Sequence, residues 1–343
     1  MKYIIYNNDG KIIAGDFSSQ CNACFSQYAV NETIRLKCPF DKESKKFVKQ
    51  KTNTGCFGLC VESKGDVNSS RLFRMKVDAF IIVVEGIVKN INDLEKTNER
   101  TVKKLLHNLT SINAHCIQEM FGLIPQEVLS RNISQQIQTV QDKIRNAPQD
   151  AAKAYLRIVK NNLAMKIEFD SIPYLYGECT PPELQDHNIR KVVLNILHPF
   201  FQDFSDKHVH VVVGDSNYHC CLDYNTFAIA IYHIVDNATK YIHPNTDMNV
   251  SFSCIKGETQ VLFEMISTQI TPEELRRIGM QGYSGFIPKK LGIAGSGMGI
   301  YRAKRFLEYN NAELIINPNI DVSLSRMYNS VLYQQNHFKI ILR

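Results

Sequence analysis

The sequence predicts an α+β protein in three parts: a small cysteine-rich α/β domain, a helical hairpin, and a C-terminal two-layer α/β sandwich. Three observations support this prediction. Strand-like runs with turn residues fill the chain up to residue 73, helical periodicity almost free of Gly and Pro follows, and helices then alternate with strands. We therefore expect domains at residues 1–73, 74–180 and 181–343, which suits a length of 343 residues.

The composition is that of a globular protein, with 44% hydrophobic and 22% charged residues, and excludes disordered and fibrous classes. The longest apolar run, Ala79–Val88, contains Glu85 and is shorter than the roughly 20 residues of a membrane helix. The apolar start of the chain ends at Asn7, so no signal peptide is expected. The net charge of +6 comes without a dense basic block. We expect a cytoplasmic protein without membrane or direct nucleic-acid partners.

Half of the ten cysteines lie in the first part of the chain, at Cys21, Cys24, Cys38, Cys56 and Cys60. In a chain without an export signal, clustered cysteines indicate metal ligands or redox groups before disulfides. A Cys-x2-Cys pair lets two thiolates reach one metal ion, and further cysteines would complete a zinc site or hold an iron–sulfur cluster. A redox thiol pair and unliganded buried cysteines stay open as alternatives. A sensor domain is the function that this position suits.

The middle region is predicted to begin with a long helix. Its first apolar residues follow the 4-3-4-3 spacing of a coiled-coil seam, at Phe80, Val84, Ile87, Ile91 and Leu94. A second stripe follows at Leu105, Leu109, Ile112 and Cys116. A second helix is predicted over residues 150–169. Two such helices form a hairpin too thin to bury its own apolar face, so we expect a homodimer that pairs two hairpins into a four-helix bundle.

His107 lies on the first helix, two positions from Leu105 and from Leu109. At about 100° per residue, it faces about 200° away from each of them and points outward from the bundle. Position alone fits an ordinary exposed histidine as well as a functional one.

A helix of the last third is predicted to begin after Asp223, a good N-cap residue. His233, Asn237 and Lys240 lie on it at i, i+4 and i+7, and Tyr241 follows. An amide oxygen can coordinate Mg²⁺, and an ammonium group one turn away can meet phosphate oxygens. A solvated helix face is the alternative interpretation.

Two strands at residues 249–254 and 260–266 follow, and a helix is predicted to begin at Thr271 with Pro272 in its first position. A glycine-rich segment then leads into another helix and contains Gly295, Ser296, Gly297, Met298 and Gly299. Glycines let a backbone approach phosphates closely, and the helix start offers free N–H groups to an anion. By itself, the segment also fits a plain mobile loop.

In this order, the motifs resemble those of two-component sensor histidine kinases, whose ATPase domain is of the type shared with gyrase, Hsp90 and MutL. Asp236–Tyr241 resembles the N box, and Gly295–Ile300 resembles the second glycine box. Lys104–Leu109 is similar to the H box, which holds the phosphorylated histidine. The resemblance covers residues 75–343 and implies the two-layer sandwich for the C-terminal domain.

The resemblance implies a concrete chemistry with ATP and Mg²⁺ as cofactors. Asn237 would coordinate Mg²⁺, Lys240 would contact the phosphates, and the glycine backbone would close over them. His107 would attack the γ-phosphoryl group, with catalysis by positioning and charge neutralisation. The phosphoryl group would pass to an aspartate of a separate response-regulator receiver domain.

Three residues depart from the family pattern. His233 stands where the N box has its first asparagine, and a neutral imidazole can occupy that place. Met265 replaces the aspartate of the first glycine box that bonds the adenine amino group, while Glu264 is expected on the other side of the strand. Asn108 replaces the acid that often follows the histidine, and an amide cannot accept a proton. Met265 and Asn108 favour an alternative: a degenerate kinase-like scaffold, or a binding protein switched by nucleotide.

Overall fold

The computed structural model describes residues 1–129, 132–175, 181–290, 292, 295 and 297–343. The chain divides into two compact units, Met1–Lys104 and Leu105–Arg343. Helices and strands are distributed as the sequence predicts in outline, because strands dominate the start of the chain, helices the middle, and both alternate near the end. None of the helices in the described ranges is long and apolar enough to span a membrane.

The first unit contains a five-stranded antiparallel sheet with the strand order β2-β1-β5-β4-β3. Its strands are β1 (Lys2–Asn7), β2 (Ile12–Gly15), β3 (Glu32–Lys37), β4 (Ser44–Lys51) and β5 (Gly55–Val61). Its helices are α1 (Ser19–Ser26), α2 (Lys64–Asn68) and the beginning of α3 (Ser70–Leu123). Ser18 and Ser63 cap α1 and α2, each with a side chain that accepts a backbone hydrogen bond from the first turn.

The start of α3 packs its apolar face on this sheet. Val84 and Val88 are fully buried in one cluster with Phe57. The predicted seam residues Ile87 and Leu94 are 36% and 63% exposed. Ile87 is more exposed than the coiled-coil spacing predicts because residues 84 and 88, four positions apart, lie on the helix face that contacts the sheet, whereas residue 87 lies beside that face.

The second unit begins with a helical hairpin. After α3 come α4 (Ile133–Asn146), α5 (Pro148–Asp170) and α6 (Ile172–Leu175), and a 3-10 turn lies at Gln126–Val128. The end of α3 runs antiparallel to α5: Asn108 bonds Glu168, and Arg157 bonds Glu119. Helix α5 matches the predicted second helix within two residues at its start and one at its end, whereas α4 has no counterpart in the sequence prediction.

The second unit continues with a sheet covered by helices. The sheet has the order β11-β13-β10-β9-β7, with β12 beside β13, and only the β7–β9 pair is parallel among the described strand pairs of this sheet. Its strands are β7 (His210–Val213), β9 (Asp247–Ile255), β10 (Glu258–Thr268), β11 (Ala312–Asn317), β12 (Arg326–Tyr328) and β13 (Val331–Leu342). A separate ribbon pairs β6 (Gln185–Asn188) with β8 (His219–Leu222).

Helices pack on one face of this sheet and share its core, as a two-layer sandwich requires. They are α7 (Ile189–Leu197), α8 (Phe201–Asp206), α9 (Tyr224–Tyr241), α10 (Pro272–Arg277) and α12 (Gly299–Glu308), and the short helix α11 (Phe286–Lys290) lies between α10 and α12 in the chain. Short 3-10 turns lie at His198–Phe200 and Val322–Leu324. Alternate residues of β10 are buried under the helices, including Val261, Phe263 and Met265. The core therefore fixes α9 and α12 side by side.

Candidate functional site

Helix α9 carries the predicted Asn/Lys motif. Asp223 caps it as expected, because its carboxylate accepts the backbone N–H of Thr226 at 2.9 Å. Asn237 is half-buried, and its side-chain amide makes no hydrogen bond within the described part of the chain. Lys240 is exposed, and its Nζ donates to Asp236 at 2.6 Å. The amide is thus available to a ligand, whereas a phosphate would have to share the ammonium group with Asp236.

Tyr241 joins the end of α9 to the glycine-rich segment. Burial raises the pKa of its phenol, and the charge of Lys240 and the nearby backbone of Gly295 oppose part of that shift. The N-box helix and the second glycine box therefore meet in the folded chain, although 53 positions separate these two residues. Ser296, between the first two predicted glycines, lies outside the described residues.

Gly297 is fixed by its surroundings. Its φ is +69°, and a Cβ atom there would lie 2.5 Å from the backbone carbon of Gly282. The N–H of Gly282 donates a hydrogen bond of 3.1 Å to the carbonyl oxygen of Gly297. Gly299, by contrast, has open space around its Cα. Met298 precedes α12 without any side-chain cap, so the first N–H groups of a ten-residue helix stay available to an anion.

The segment between the glycine boxes is anchored by Glu274. Thr271 and Glu274 form a reciprocal capping box at the start of α10, with Pro272 in the first position as predicted. The same carboxylate accepts the N–H of Phe286 at 2.6 Å. One buried side chain therefore holds both α10 and α11, which border the glycine-rich segment.

Met265 lies in the apolar core. It is 3% exposed and faces the helices from β10. Glu264 points to the opposite side of the strand, as strand alternation predicts, and its Oε2 lies 3.1 Å from Nε2 of His337. No carboxylate thus takes the place of the family's aspartate at this position.

His107 is exposed on α3, while Leu105 and Cys116 of the predicted stripe are 7% and 6% exposed. Its neighbour Asn108 turns inward, and Asn108 Nδ2 donates to Glu168 Oε1 at 3.2 Å. Arg302 of α12 donates from Nη1 to the same oxygen at 3.0 Å. Sequence reasoning missed Glu168 and Arg302, because partners 60 and 134 positions apart leave no local pattern.

His233 is buried beside this group. Burial, followed by the nearby charges of Arg302 and Lys240, holds the pKa of His233 well below its usual value of 6.5, so the imidazole is neutral. Its Nε2 has no hydrogen-bond partner among the residues that the structure describes. The predicted polar stripe of α9 is therefore divided: His233 belongs to the interior, and Asn237 and Lys240 lie toward the surface.

The five N-terminal cysteines are free thiols at three places in the fold. Cys21 and Cys24 lie on α1, Cys56 and Cys60 on β5, and Cys38 just after β3. Four positions of an extended strand span about 13 Å, so the two β5 cysteines are too far apart to bind one ion. In the described ranges, the single group of three or more ligating side chains with their ligating atoms within 4.8 Å of one another is Asp41, Glu43 and Glu62, without a cysteine.

The chain is similar to known histidine kinases. No family model matches it. Histidine protein kinase SaeS of Staphylococcus epidermidis is 21% identical over 286 residues, which cover 75% of this chain and 78% of the relative. The solved mycobacterial sensor histidine kinase MprB has 16% identity and a TM-score of 0.38, over 46% of this chain and 96% of its own. Full-length ShkA in complex with AMPPNP has 11% identity and a TM-score of 0.42, over 71% and 45%. The sequence relative confirms the predicted resemblance to sensor histidine kinases.

Proposed function

We propose that the protein is an ATP-dependent histidine kinase that phosphorylates His107 and passes the phosphoryl group to a receiver aspartate on another protein. The observation that carries this proposal is the proximity of two motifs: Tyr241, at the end of the Asn/Lys helix, lies near enough to the backbone of Gly295 to offset part of the rise that burial causes in the pKa of its phenol, and Gly295 lies four residues before the uncapped start of α12. An amide, an ammonium group and free helix N–H groups are the chemistry that a magnesium–triphosphate ligand requires.

Different residues of this site would bind the metal ion and the phosphates of the nucleotide. The unpartnered amide of Asn237 fits a hard cation and would hold Mg²⁺, which neutralises phosphate charge when bound. Lys240 would exchange its exposed contact with Asp236 for a phosphate oxygen. The backbone from Gly295 to Gly299 would approach the phosphates, with the N–H groups of α12 directed at them.

Phosphoryl transfer would form a bond between a ring nitrogen of His107 and the γ-phosphorus, while the bond to the bridging oxygen breaks and ADP leaves. The exposed position of His107 is compatible with its attack on ATP bound to the same subunit or to a second one. A homodimer is part of the proposal, because α4 and α5 leave large apolar side chains such as Ile133 and Tyr155 69% and 67% exposed.

Burial of Met265 favours a second candidate function, a scaffold that binds nucleotide without transferring phosphate. The thioether cannot accept a hydrogen bond from an adenine amino group as a carboxylate does. Loss of such a contact costs about 1–3 kcal/mol, which lowers affinity roughly tenfold to a hundredfold.

The two functions separate in a labelling experiment with γ-labelled ATP and Mg²⁺. We expect acid-labile, base-stable label on the full chain, and its loss in His107→Ala and in Asn237→Ala. Two matched controls should keep the label: His115→Ala, an exposed histidine two turns further along α3, and Asn217→Ala, an exposed asparagine. Bound ATP without label on any protein would favour the scaffold instead, and absence of both binding and label would overturn both functions.

A further inference from the structure

A buried bridge joins three helices of the second unit. Asn108 on α3 and Arg302 on α12 both donate to one oxygen of Glu168, near the end of α5. The side chains of the ion pair are only 10% and 11% exposed. These three residues form a latch between the helical hairpin and the helix that follows the glycine-rich segment.

The latch is closed but only partly satisfied. Glu168 Oε2, Arg302 Nε and the neighbouring His233 Nε2 are all buried and have no hydrogen-bond partner within the described part of the chain. A buried ion pair stabilises a fold little compared with apolar residues, since desolvation offsets most of the attraction between the charges. Incomplete hydrogen bonding weakens it further. Such a network contributes little to the free energy of unfolding, and it is therefore suited to a contact that opens and closes.

The position of the latch relates it to the proposed reaction. Asn108 directly follows His107, and Arg302 lies three residues after Gly299. Because consecutive helical residues are turned by about 100°, the face that holds Asn108 against Glu168 is not the face that presents His107. While the latch is closed, α12 is held on the hairpin by a face of α3 that does not carry the phosphoacceptor, and His107 stays exposed.

We propose that the Asn108–Glu168–Arg302 bridge is an autoinhibitory contact, which holds the ATP-binding helices on the hairpin at rest and opens before His107 is phosphorylated. This inference rests on the proposed kinase function. It assigns a regulatory role to two charged residues that no motif of the chain includes.

Charge reversal tests the latch. Glu168→Arg and Arg302→Glu each place like charges together, so each should open the contact and raise the initial rate of His107 labelling by between about fivefold and a hundredfold. The double variant restores an ion pair with exchanged ends, and labelling should return toward the wild-type rate. Lys166→Glu is the matched control, because it breaks an exposed ion pair with Asp170 that lies within α5 and joins no other helix, and it should leave the rate unchanged.

Hydrogen–deuterium exchange on the same proteins makes the outcome independent of kinase activity. Faster exchange in α12 and at the end of α5 in the single variants, reversed in the double variant, supports the latch. Unchanged exchange in both single variants overturns it, and so does labelling that falls in the single variants and recovers in the double, since the bridge would then position the reaction. If exchange is faster in the single variants and normal in the double variant, but no protein is labelled, the contact is supported. The kinase function and the inhibitory role are then both refuted.

Discussion

Gly297 offers a sharp test of how the glycine-rich segment is held. In Gly297→Ala, a side chain must occupy a backbone at φ +69°, which costs about 1–2 kcal/mol. The new Cβ would lie 2.5–2.6 Å from backbone atoms of Gly282 and Tyr283, which cannot rotate away. The hydrogen bond from Gly282 N–H to Gly297 O is then lost, at about 1 kcal/mol. Together, the closed arrangement of the segment should lose about 2–3 kcal/mol relative to an open one.

Amide hydrogen exchange measures this loss directly. A change of 2–3 kcal/mol corresponds to roughly 30- to 150-fold faster exchange of the Gly282 amide. Gly299→Ala is the matched control two residues away: it meets open space and lies in a helix, where Ala is preferred over Gly, so exchange at Gly282 should be unchanged. Equal exchange in Gly297→Ala and the wild-type protein would refute the reasoning. An equal acceleration in both variants would refute it as well, because the positive φ would then not be the cause.

Two further predictions concern titration. The folded-state pKa of His233 lies well below its unfolded value of 6.5. The free energy of unfolding should therefore fall as the pH drops below about 6.5, by up to about 1.4 kcal/mol per pH unit for this proton. In denaturant titrations, the free energy of unfolding of His233→Gln should depend less steeply on pH than that of the wild-type protein. A pH profile that is the same for both proteins would contradict the burial of a neutral imidazole. Burial raises the pKa of the Cys60 thiol to about 11, so its alkylation rate in the folded protein should still increase above pH 9, with the exposed Cys221 as the internal reference; a plateau near pH 9 would contradict this.

Local signals in the sequence were sufficient for the elements around the site. Asp223 and Thr271 cap α9 and α10 as predicted, because N-capping depends on a side chain and the first turn that follows it. Helix α5 and strands β9 and β10 lie within a few residues of their predicted bounds, since their apolar periodicity is strong. These elements bring the Asn/Lys motif and the glycine-rich segment together.

Long-range pairing is where the sequence prediction was incomplete. Strand β13 lies between β10 and β11, yet its apolar run carries no sign of these partners. Helix α4 is amphipathic, but it is so rich in polar residues that its apolar periodicity did not predict a helix. The metal site that the cysteine spacing predicts stays a prediction: the thiols lie on a helix, a strand and the turn after β3, and burial raises the pKa of the Cys60 thiol, with Cys21 and Cys38 near enough to add to that shift. The Glu168–Arg302 pair was likewise invisible, because only the fold brings α5 and α12 into contact.

The departures from the family pattern bear on whether the chain is a degenerate kinase. Two of them, Asn108 and His233, lie around the same buried pair of Glu168 and Arg302. An acid in place of Asn108 would direct a second carboxylate at Glu168, whereas the amide donates a hydrogen bond to it. A neutral imidazole at His233 likewise avoids adding a charge beside Arg302. Neither residue therefore adds a charge beside the Glu168–Arg302 pair. Met265 is the remaining departure, so nucleotide affinity is the property on which the scaffold alternative depends.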